Sequence, residues 1–140
     1  MITRINSAAV IIDKLGRVLI TKRASNKKFL PDIWHLPGGK IEDGENPKQA
    51  LIRELKEELS IDLVEIIDLG IDFIYPSHDK NFHKTLFFYA EYSGNITLDS
   101  ENQDYKFVIL EQLPKYLNSQ SLQSSTKAVK KAISIVTQKN

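Results

Sequence analysis

Residues 36–61 read LPGGKIEDGENPKQALIRELKEELSI, and the second half of this stretch predicts a helix from Pro47 to about Leu59. Asn46 offers an N-cap oxygen, Pro47 suits the first helical position, and Gln49 completes a loose capping box. At about 100° per residue Leu51, Leu55 and Leu59 fall on one stripe, which has to face a core. Glu54, Glu57 and Glu58 fall on a second stripe about a quarter turn away, so three carboxylates share one patch.

Like charges at this spacing weaken an isolated helix by a few tenths of a kcal/mol per pair, roughly. One account is a solvated face neutralised by Arg53 or Lys56. The other is a hard-cation site, because Mg²⁺ prefers carboxylate oxygens and keeps waters and substrate phosphates as its remaining ligands. The segment in front favours the second. Pro37-Gly38-Gly39-Lys40 is a glycine turn delivered by a short strand, and it places open backbone and a lysine beside the acidic patch. That combination suits a metal-bound polyphosphate.

Outward from this stretch, Ala8–Ile12 and Val18–Thr21 are apolar and β-branched with Asp13-Lys14-Leu15-Gly16 between them, the pattern of a hairpin. Arg23–Asp32 lacks a period and reads as a loop. Ile33–Leu36 reads as a strand stopped by Pro37-Gly38-Gly39. Leu63–Tyr75 is extended, Pro76–Phe82 is a polar and mobile connection, and Thr85–Ala90 and Tyr105–Leu110 are strands. Leu122, Val129, Ile133 and Val136 mark a terminal helix. Strands and helices interleave without repeat or linker, so residues 1–140 are expected to form one α/β (α+β) domain, a mixed sheet with helices packed on it.

Composition excludes several classes of function. A chain of 140 residues suits one domain with a core of its own, and 41% hydrophobic content favours folding over disorder. Nineteen basic against eighteen acidic residues leave a net charge of +1, which gives no bulk attraction for nucleic acid. Cysteine is absent, so any metal must be held by oxygen or by the 3 histidines. The N-terminus does not read as a signal peptide, and no apolar run approaches the ~20 residues of a membrane span. A cytoplasmic protein is expected.

At Gly39, Glu45 and then Arg53-Glu54-Leu55-Lys56-Glu57-Glu58-Leu59-Ser60-Ile61, the chain resembles the signature box of the Nudix hydrolases. The box spans residues 39–61, and the surrounding Leu36–Glu42 stretch resembles the MutT-like branch. One defined position departs, Ser60, where the family has glycine; a serine in the left-handed turn expected there costs about 1 kcal/mol. The resemblance implies a Nudix-type α/β/α sandwich. It also implies that Glu54, Glu57, Glu58 and the Gly39 carbonyl hold divalent cations, Mg²⁺ first and Mn²⁺ second. Glu45 and Arg53 match a buried structural salt bridge, and Arg23 and Lys40 match positions that contact phosphate or base.

The implied reaction is attack by water on phosphorus in a nucleoside diphosphate linked to another group. The general base is expected to be Glu54, then Glu57, then a carboxylate beyond the box such as Glu101 or Asp104. A nucleoside triphosphate is the expected small-molecule partner, cleaved to a nucleoside monophosphate and pyrophosphate. Pro76, 15 residues beyond the box, resembles the ADP-ribose branch and keeps nucleotide-sugar hydrolysis as an alternative. A catalytically silent nucleotide-binding module is a third reading, against which the intact carboxylates argue. Trp34 reads as core or as a wall for a nucleobase. His35, His78 and His83 show no metal-ligand spacing and read as incidental, and Lys127, Lys130 and Lys131 read as the wet face of the last helix.

Overall fold

A computed structural model describes residues 1–28 and 30–139; Phe29, within the predicted loop, and Asn140 lie outside the described residues. Two sheets carry the fold. The first has the order β4-β1-β6-β5, formed by β1 (Ile2–Val10), β4 (Gly38–Lys40), β5 (Asp62–Pro76) and β6 (Phe82–Ser93). The second, β3-β2-β7, joins β2 (Val18–Arg23), β3 (Trp34–His35) and β7 (Asn102–Val108). β1 pairs parallel with β6, and every other pairing is antiparallel, so the first sheet is mixed as expected.

Alternation along β1 sets the two layers of the core, because successive side chains point to opposite faces. Ala9 and Ile11 meet Leu51, Leu55 and Leu59 of helix α1 (Pro47–Leu59), while Ala8 and Val10 meet Ala128, Val129 and Ala132 of the terminal helix. That terminal helix is α3 (Ser119–Lys139), preceded by a single turn, α2 (Leu113–Tyr116). A helix on each side of the sheets gives the α/β/α sandwich.

The predicted hairpin is only one bridge long. Ile12 pairs with Val18 and the Leu19 N–H donates to the Ile11 carbonyl at 3.0 Å, after which the strands part into different sheets. The reason is burial: Ala8–Ile11 and Val18–Thr21 are all buried, so each strand takes neighbours on both sides rather than one exposed partner. A second correction concerns Gly38-Gly39-Lys40, which continues as a short strand beyond the stop at Pro37. Its register sets Gly38 against Ala8 and Gly39 against Ser7. A Cβ on Gly38 would lie 2.0 Å from the Ser7 carbonyl oxygen, so only glycine permits this approach.

Within the polar connection expected at residues 76–82, Pro76 ends β5 and Phe82 begins β6, and the turn between them is closed by the Ser77 N–H donating to the Asn81 carbonyl at 2.9 Å. Lys127 and Lys130 are exposed as expected. Lys131 is not purely solvated: its ammonium donates to the Leu69 carbonyl at 2.5 Å, beside the irregularity between Asp68 and Ile71 in β5. No helix among the described residues is long and apolar enough to cross a membrane.

Candidate active site

Helix α1 begins as its sequence dictates. Asn46 accepts from the Gln49 N–H and Gln49 returns the bond to the Asn46 N–H, each at 2.8 Å, which fixes the first turn and the rotation of the acidic face. The helix ends at Ser60, at φ 60° and ψ 29°, the left-handed cap that glycine ordinarily takes.

The three box glutamates share one side of α1 but meet different surroundings. Glu58 is 7% exposed, and its Oε2 has no hydrogen-bond partner. Burial pushes its carboxyl up to about 8, with repulsion from Glu54 and Asp99 adding to the effect. Glu54 is half-buried and also shifted upward by burial, although Arg53 Nη1 donates to it at 2.9 Å. Its carboxylate lies so close over β4 that a Cβ on Gly39 would meet it at 2.3 Å. Glu57 is exposed, its oxygen 3.5 Å from the same Arg53 nitrogen.

Arg53 organises the patch. Its Nε and Nη2 grip Glu45 at 2.7 and 2.9 Å, and Nη2 also donates to the Lys40 carbonyl at 2.9 Å. Glu45 is thereby held down to about 2, by the Arg53 hydrogen bonds first and the Glu42 N–H second. The pair is half-buried, less enclosed than a fully buried bridge. Lys40, expected near phosphate, is exposed on the edge strand and contributes its carbonyl to Arg53.

Among the described residues no three carboxylates, imidazoles or thiols surround one point closely enough to form a cation cage. The donor chemistry nevertheless fits a hard cation. Glu58 presents a buried, unpartnered oxygen, and the charges of Glu54, Asp99 and Glu101 all disfavour its ionised form. An anionic cluster of this kind is short of positive charge, and Arg53 answers it only at Glu54 and Glu57. Glu101, on the loop before β7, forms an ion pair with Lys27 at 2.8 Å that holds its carboxyl low. Asp104 stands opposite Lys22 and accepts the Tyr105 N–H at 2.8 Å.

Beside this patch opens a cavity of about 510 Å³ between the first sheet, β3 and the start of α3. Gly39 and Arg23 stand at its boundary with the acidic patch, and Arg23 Nε is buried with no partner. Trp34 is a wall of the cavity, edge-on to Tyr116 with ring centres 5.6 Å apart. All three histidines line it. His35 Nδ1 donates to the Leu36 carbonyl at 2.8 Å, and burial drives its pKa down to about 4, leaving a neutral ring whose buried Nε2 has no partner.

Sequence reasoning missed Arg4, Asn6 and Tyr75, which also line the cavity. The signal available was alternation: Arg4 and Asn6 share parity with Ala8 and Val10, the residues of β1 that face α3.

The chain matches the model of the NUDIX domain over residues 3–128. It is 37% identical over 92 residues to a protein from Proteus vulgaris named 8-oxo-dGTP diphosphatase, covering 65% of this chain and 80% of that one. It is 33% identical over 129 residues to a Nitratiruptor protein named RNA pyrophosphohydrolase, covering 81% and 83%. The crystal structure of a MutT NUDIX hydrolase from Burkholderia pseudomallei superposes with a TM-score of 0.77 at 25% identity, over 90% of this chain and 97% of that one. Helix, glycine strand and carboxylates thus stand in the frame of a known group: the chain belongs to the NUDIX domain family.

Proposed function

We propose that this protein is a divalent-cation-dependent nucleoside triphosphate pyrophosphohydrolase acting in the cytoplasm. The observation that carries the reading is the buried carboxylate of Glu58, whose Oε2 has no hydrogen-bond partner, on the helix face that sets Glu54 over Gly39 at one end of a cavity of about 510 Å³. Glu54, Glu57, Glu58 and the Gly39 carbonyl would hold the cation, for which Mg²⁺ is the first assignment and Mn²⁺ the second. A cation held there would supply positive charge to the phosphate oxygens and acidify the attacking water.

Glu54 is the assigned general base. It is the half-buried box carboxylate set over Gly39, and burial raises its pKa above the ordinary carboxylate value, the direction that makes it a better proton acceptor. Glu57 is exposed and second in order, and Glu101 is weakened as a base by Lys27. In the reaction the water oxygen bonds to the α-phosphorus and its proton passes to Glu54. The bridging oxygen leaves with pyrophosphate, giving a nucleoside monophosphate. Arg23 faces the polyphosphate and Trp34 the base.

The relatives named for 8-oxo-dGTP and for RNA support a nucleotide carrying a phosphoric anhydride. Pro76 lines the cavity and keeps a nucleotide sugar as the competing substrate. A hydrolysis screen with Mg²⁺ over triphosphates, oxidised triphosphates and ADP-ribose, with products identified, decides between them. A higher kcat/KM for triphosphates with pyrophosphate as product is expected; preference for ADP-ribose would overturn the triphosphate assignment.

A further inference from the structure

The two ends of the cavity differ in the residues that line them. Its inner end lies at Gly38 and Gly39, which pair with Ala8 and Ser7 of β1. Its outer end lies at Arg4, four residues back along the same strand, about 13 Å away at the rise of an extended chain. Arg4 stands next to His83 across the parallel β1–β6 pairing, and His83 in turn lies edge-on to Tyr75 with ring centres 5.5 Å apart. Tyr75 stacks on Phe73 at 5.2 Å, so the floor between the two ends is aromatic.

Arg4 is aimed by its neighbours. Its Nε donates to Asn6 Oδ1 at 2.7 Å, and Asn6 Nδ2 donates to the Tyr75 hydroxyl at 3.3 Å. That arrangement fixes the guanidinium through one nitrogen and leaves the planar fork of its terminal nitrogens for a ligand. Among the described residues Arg4 has no carboxylate within ion-pair distance, and no Asp or Glu lines the cavity. Asp79, in the nearby turn, is engaged by the Ser77 hydroxyl and the Asn81 N–H. An arginine held in this way at the far mouth of a carboxylate-free cavity fits a second anion.

We propose that Arg4, held by Asn6 and flanked by His83, forms a second phosphate subsite, so that the preferred substrate bears a phosphate or phosphodiester on its sugar in addition to the 5′ polyphosphate. The identification of this second group as part of a nucleotide rests on the function proposed above. Two sources share that chemistry, a mononucleotide with a 3′ phosphate and the 5′ end of a polynucleotide.

Calorimetry with nucleoside 3′,5′-bisphosphate and nucleoside 5′-monophosphate reads the subsite without turnover. The bisphosphate is expected to bind about tenfold tighter or more, the scale of a charge-assisted hydrogen bond. In Arg4→Gln the ratio should fall to within about twofold, and in Arg4→Lys, which keeps the charge but loses the fork, to an intermediate value. Equal affinities, or a ratio that survives Arg4→Gln, would overturn the subsite. Turnover then separates the sources: a kcat/KM gain for a 3′-phosphorylated triphosphate assigns a terminal phosphate, and a gain confined to a 5′-triphosphorylated dinucleotide assigns a polynucleotide end. Tight bisphosphate binding without hydrolysis of any triphosphate would leave the subsite standing and overturn the proposed activity.

Discussion

Arg53 grips both carboxylate oxygens of Glu45, Nε to Oε2 at 2.7 Å and Nη2 to Oε1 at 2.9 Å, and so ties the loop before α1 to the middle of that helix. Through Nη1 the same guanidinium reaches Glu54 at 2.9 Å and Glu57 at 3.5 Å. The Glu45–Arg53 pair and the carboxylates of Glu54 and Glu57 are therefore one network, and Arg53 fixes the aim of Glu54.

Arg53→Ala should lower the melting temperature by roughly 3–6 °C and reduce kcat more than it raises KM. Because Glu45 is held down to about 2, below its ordinary value near 4.5, its share of stability is present above pH 4.5 and lost as pH falls toward 2. The wild-type melting temperature should drop across that window more steeply than that of Arg53→Ala. Parallel pH profiles for the two proteins would contradict the pairing.

Ser60 occupies a left-handed cap at φ 60°, where a Cβ is strained. Ser60→Gly should stabilise the protein by about 1 kcal/mol, and Ser60→Ala should not, as read by denaturant unfolding. The departure from the family pattern at this position is thus met by the backbone adopting the glycine conformation with a serine in it.

Helix α1 was legible to its ends because its determinants are local: Asn46, Pro47 and Gln49 set the start, and the leucine stripe sets the buried face. The partition of β1 and β2 into two sheets was not legible, since Ala8–Ile12 and Val18–Thr21 carry the same signal whether they pair along their length or at one bridge. The carboxylate patch could be placed from helical spacing, yet spacing gave no hint that Glu58 alone would be buried. The cavity was the least legible part, because Arg4, Trp34, Tyr75 and His83 come from four strands and meet only through long-range pairing.

Trp34 is the single tryptophan in the chain and forms a wall of the cavity. Its fluorescence should therefore change saturably as a nucleoside 5′-monophosphate is added. Trp34→Ala should raise KM about tenfold with a smaller effect on kcat, in line with loss of one stacking surface. An emission spectrum indifferent to saturating nucleotide would place the base elsewhere.

The most direct test of the central claim is pyrophosphate release from a nucleoside triphosphate by wild type and Glu58→Gln, each with Mg²⁺ and with excess EDTA. Glutamine keeps the shape of the buried side chain and removes the charge that would hold the cation. Release is predicted for the wild type with Mg²⁺ and should fall at least about a hundredfold with EDTA or in Glu58→Gln, a loss of about 2.7 kcal/mol in transition-state stabilisation. Undiminished release in EDTA or in Glu58→Gln, or orthophosphate as the main product, would contradict it.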